Sequence, residues 1–120
     1  MDWEILLCFP IMALFVLHEM DAVKNKEWRM IIGLNRLPDQ WAYIIFMLLH
    51  APLFTLLFVY FNDLNSYIII LFDFLMVLHS IAHWFFRKHK ENSFDFFSNI
   101  LIGTLGLLAL LHLILLCRTS

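Results

Sequence analysis

The stretch Leu17-His18-Glu19-Met20-Asp21-Ala22 closes an apolar run over residues 5–17. A helix needs roughly 20 residues to cross a bilayer, and the run alone is shorter than that. The helix therefore either draws His18, Glu19 and Asp21 into the membrane region or stops with them among the headgroups. Both choices require a membrane, and both place an imidazole and two carboxylates at its edge.

The composition agrees. Of 120 residues, 62% are hydrophobic, against about 45–50% in soluble domains, and the mean hydropathy is +0.82. A chain of this size has too little interior to hide so much apolar surface, so the lipid bilayer is an expected partner. The net charge of −2 argues against nucleic acid as a partner. Cys8 and Cys117 sit in apolar runs and form neither a disulfide framework nor a CxxC zinc knuckle. Asp2 and Glu4 stand where a signal peptide has its basic region, so the first helix is expected to be retained.

Four segments, at about 3–23, 41–61, 67–86 and 94–117, predict an all-α, up-down four-helix membrane bundle, residues 1–120 forming a single transmembrane domain. Pro10 is expected to kink the first segment. Residues 24–36 mix Lys24, Lys26, Arg29 and Arg36 with Trp28, Ile31, Ile32 and Leu34, which predicts a short amphipathic helix lying at the interface. Asp39, Ser66 and Ser93 are candidate helix caps, residues 62–66 read as a tight turn, and Gly103 and Gly106 would allow close helix approach.

Apart from Arg118 near the C-terminus, Lys and Arg fall in the loops after the first and third segments and are absent from the 62–66 turn. By the positive-inside rule these loops are cytoplasmic, with both termini outside the cytoplasm in a multi-pass cell-membrane protein. Trp28, Trp41 and Trp84 then mark the inner interface and Trp3 the outer one.

With this orientation three segments bring polar residues to one depth. His18 and Asp21 share a face at i, i+3, with Glu19 turned about 100° away. His79 and His83 are spaced i, i+4, as two ligands of one ion often are on a helix. His18, Asp21, His79 and His83 form a candidate metal set suited to Zn²⁺ or Fe²⁺, with Glu19 or Asp95 as catalytic acid–base groups. Plainer readings stand beside these. His79 and His83 would serve as an interfacial pair, Glu19 and Asp21 as a solvated helix end, and Asp95 as an acid favoured by the helix dipole. His50, ahead of Pro52, would bond a carbonyl the proline frees. Deeper in the membrane, Asp73 and His112 are expected to pair, offsetting the cost of burial.

The histidine–acid motif closing the first helix, the Trp-bearing basic linker and the third helix with paired histidines resemble the HXXEE-type bacterial membrane proteins. In their motif a histidine is followed three and four residues later by glutamates. His18 matches the histidine, Asp21 takes the place of the first glutamate, and Ala22 stands at the second. The resemblance implies a topology and a motif rather than a reaction. Three functions follow from the residues. The first is a cytoplasm-facing, metal-dependent hydrolase or oxidase acting on a lipid-like substrate. The second is a non-catalytic membrane interaction subunit. The third is a proton or metal-ion conduit through His112, Asp73, His50, His79 and His18, which four helices could form only as a homo-oligomer.

Overall fold

A computed structural model describes residues 3–62 and 65–119. The chain is all-α. Four long helices, α1 (Trp3–Lys24), α2 (Asp39–Asn62), α3 (Ser66–Phe86) and α4 (Phe96–Thr119), pack as a bundle. They hold 22, 24, 21 and 24 residues, about 31–36 Å at 1.5 Å per residue, against a hydrocarbon thickness of about 30 Å. All four are long and apolar enough to cross a membrane. Pro10 and Pro52 lie inside α1 and α2, and both helices continue through them.

The helix starts are set by different side chains from those expected. Asn65, not Ser66, caps α3 by accepting a hydrogen bond from the Ile68 amide at 3.1 Å. Asp95, not Ser93, caps α4 by accepting from the Ser98 amide at 2.9 Å and the Ser98 hydroxyl at 3.0 Å. The Ser93 hydroxyl instead donates to the Asn25 carbonyl, tying the loop before α4 to the end of α1. Part of the expected 62–66 turn, residues 63 and 64, lies outside the described residues.

The segment between α1 and α2 is not one amphipathic helix. It forms two short 3-10 turns, Glu27–Arg29 and Leu34–Arg36. Lys26 at φ 54° and Gly33 at φ 97° reverse the backbone twist before each, which a continuous right-handed helix does not permit. Gly33 meets this with no side chain to strain. The linker therefore folds back on the bundle instead of lying flat. Trp28 is buried, packing with Ala22, Ala42 and Phe46. Its indole N–H donates to Asp39 at 2.8 Å, and Asp39 also pairs with Lys26 and Arg29, each at 2.8 Å. Those three contacts outweigh a capping role for Asp39, which is the first residue of α2 itself. They hold its carboxyl down at about 2, the Lys26 hydrogen bond first among the causes, then that of Trp28.

The core runs through α1, α3 and α4, with Cys8, Ile11, Met12 and Phe15 against Ile69, Met76, Leu105 and Ala109. Leu57 and Tyr60 bring α2 into it. Gly106 permits a close approach of α3 and α4: a Cβ there would lie 2.5 Å from Oγ of Ser80. That hydroxyl crosses to the Ile102 carbonyl at 3.0 Å. Gly103 faces open space and takes no part in the approach. Leu48, Leu56, Phe58 and Leu107 are exposed, as side chains meeting lipid would be.

Candidate metal centre

Three imidazoles meet where α1 and α3 end. His18 is fully buried, and its Nε2 lies 2.7 Å from Nε2 of His79. His83, one turn beyond His79, completes a triangle with ring centroids 4.7–4.8 Å apart. Phe94, in the loop before α4, closes one side, 5.1 Å from the His83 ring.

The fourth member is Glu27, which the first 3-10 turn carries back over the helix ends. Its Oε1 accepts from Nε2 of His83 at 3.2 Å. One ligand atom from each of His18, Glu27, His79 and His83 lies within 4.8 Å of the others. Burial is the largest influence on the Glu27 carboxyl and works to raise its pKa. The His83 hydrogen bond and the charges of His83, His18 and His79 together outweigh it, so the net shift is downward and Glu27 is ionised at neutral pH. A carboxylate and three imidazoles could hold a metal ion such as Zn²⁺ or Fe²⁺. Nδ1 of His18 is buried with no hydrogen-bond partner among the described residues. A cleft of about 130 Å³, lined by Glu27, Met30, Ile31, His79, Ala82, His83 and Phe86, opens on the group.

Of the residues singled out in the sequence, His18, His79 and His83 come together. Asp21 is buried but does not enter the group. Its backbone carbonyl holds Asn25, and its Oδ2 has no hydrogen-bond partner among the described residues. Glu19 faces α2, where its Oε2 lies 2.5 Å from Nε2 of His50. Asp95 is exposed at the start of α4. The Ser98 amide, followed by the Ser98 hydroxyl, holds its carboxyl below the usual range. His50 bonds the Phe46 carbonyl at 2.6 Å, not a carbonyl freed by Pro52. Far from the group, Asp73 and His112 are both fully buried. Oδ2 and Nδ1 approach to 2.8 Å, a close contact not aligned as a hydrogen bond.

Glu27 is the member of the group that sequence reasoning passed over. Glu27 did leave a signal, as the only acid in the basic stretch 24–36.

No curated protein and no solved structure matches the chain. A family model matches residues 3–119, and on that match the chain belongs to a family of unknown function (DUF6713).

Proposed function

We propose that this chain is a single-domain, multi-pass membrane metalloprotein. His18, Glu27, His79 and His83 hold a divalent transition-metal ion at the cytoplasmic headgroup level, where it serves hydrolysis or oxidation of a lipid-like substrate. The observation that carries this reading is the convergence of three imidazoles and an ionised carboxylate within 4.8 Å. Glu27 fills the carboxylate position that Asp21 was expected to fill. Nε2 of His18 and Nε2 of His79 already point at one another across 2.7 Å, and the Glu27 carboxylate stands beside His83, so one ion can be reached from all four side chains. Burial of His18 fits an anchoring ligand, and the cleft gives His79, His83 and Glu27 access from outside. A metal at such a site lowers the pKa of bound water and polarises a substrate oxygen. Met30, Ile31 and Phe86 line the cleft beside these polar groups, which suits a substrate with an apolar part.

The placement of Lys and Arg supports a cytoplasmic site and external termini. The likeness to the HXXEE-type proteins supports the same topology and adds no reaction. A conduit gains less support. Ile11, Met12, Phe15, Met76 and Leu105, all buried, stand between the Asp73–His112 pair and the histidine group. That pair suits a role in fastening α3 to α4.

Metal analysis of the purified chain tests the proposal. At least one equivalent is expected, and His79→Ala and His83→Ala should each abolish binding at this group. A wild-type protein that takes up no stoichiometric metal would remove the idea.

A further inference from the structure

We infer that Glu19 and His50 bind a second divalent cation beside the first, so that the centre is dinuclear. This rests on the reading of His18, Glu27, His79 and His83 as a metal site.

The tautomer of His50 is the starting point. Its Nδ1 lies 2.6 Å from the Phe46 carbonyl oxygen. A carbonyl only accepts, so Nδ1 carries a hydrogen and donates. Neutral His50 then presents the Nε2 lone pair, and that atom faces Oε2 of Glu19 at 2.5 Å. A carboxylate oxygen and an imidazole lone pair are both acceptors. They face each other at this distance only with a cation between them, either a proton or a metal ion.

Three features favour a metal ion. Anchoring Nδ1–H on a backbone carbonyl is how metal-binding histidines are commonly oriented, fixing the opposite nitrogen toward the ion. The two ligands come from different helices, α1 and α2, and their side chains are only 9% and 14% exposed, so they are held in place rather than loose on a surface. They also adjoin the first group. Glu19 follows His18 in the chain, and His50 meets Glu19 from α2.

The charge balance agrees. Glu27 and Glu19 contribute two negative charges, and two dications exceed them by two. That excess suits a bound hydroxide and an anionic substrate oxygen, which is the arrangement of two-metal hydrolytic sites. With only two protein ligands the second ion keeps open positions, as catalytic ions do. Metal bonds of about 2.0–2.2 Å to each atom require the Glu19–His50 contact to open by roughly 1 Å.

The test is metal stoichiometry on the full chain, purified in detergent, stripped with a chelator and dialysed against Mn²⁺. Two equivalents per chain are expected in the wild type, with an exchange-coupled electron paramagnetic resonance spectrum. Glu19→Gln and His50→Gln should each hold one equivalent, with the signal of isolated Mn²⁺. One equivalent in the wild type would overturn the second site while leaving the first standing, and none would overturn both. Two equivalents retained in both variants would also overturn it, since the second ion would then lie elsewhere. The wild-type count decides even if a variant fails to fold.

Discussion

Glu27 accepts from His83 out of a surface turn, whereas Asp21 is buried on α1 one turn from His18 yet stays outside the group. The two acids therefore separate experimentally. Glu27→Gln keeps the size of the side chain and removes its charge. It should weaken metal binding by more than about 100-fold, beyond the 10–100-fold typical of groups that only orient a ligand. Asp21→Asn should change affinity by less than about threefold. Competition with a chelating dye reads both. The histidine pair was legible because i, i+4 on a helix is a local fact that survives folding. The carboxylate was not, because two acids six residues apart, Asp21 on α1 and Glu27 beyond it, give no sign of which will turn back toward the histidines. Asp21 looked inward by periodicity alone. What selects Glu27 is the left-handed backbone at Lys26, a conformation to which Lys gives no compositional clue.

At the scale of elements, the helices follow from apolar runs whose length is set by bilayer thickness, so they could be read directly. The linker could not, because its form depends on the long-range contacts of Asp39 with Lys26, Trp28 and Arg29. Those contacts make its closure sensitive to pH. Asp39 is depressed to about 2 in the folded protein, below its ordinary value of 3.8. The group's contribution to linker closure is fully present above that ordinary value and is lost as pH falls through about 2. In a variant keeping Trp28 as its only tryptophan, emission should stay constant from neutral pH to about 4 and shift to the red as pH drops toward 2. Asp39→Asn should show a red-shifted spectrum already at neutral pH. The α3–α4 contact makes a second prediction. Gly106→Ala places a methyl 2.5 Å from Oγ and 2.6 Å from Cβ of Ser80, and should destabilise the bundle by about 1–3 kcal/mol, as overpacking does. Adding Ser80→Gly should recover part of that loss. Gly103→Ala meets nothing within 4 Å and should be neutral or stabilising by up to about 1 kcal/mol through helix propensity alone. Unfolding titrations in mixed micelles compare the three.

For the whole molecule, the topology itself is open to measurement. A reporter active only outside the cytoplasm should be active when fused after Ser120 and inactive when inserted in the loop between α3 and α4. The reverse pattern would turn the site to face outward. The candidate centre also imposes an order on assembly. His18 and Glu27 leave the ribosome more than fifty residues before His79 and His83, and they cannot close the group until α3 has entered the membrane and brought its end back to theirs. A chain whose third span fails to insert, or inserts upside down, keeps two ligands at one face and leaves two at the other. Capture of an ion would thus be a late event in biogenesis, available only to chains threaded correctly, and the loaded metal would serve as a quality mark on the finished topology.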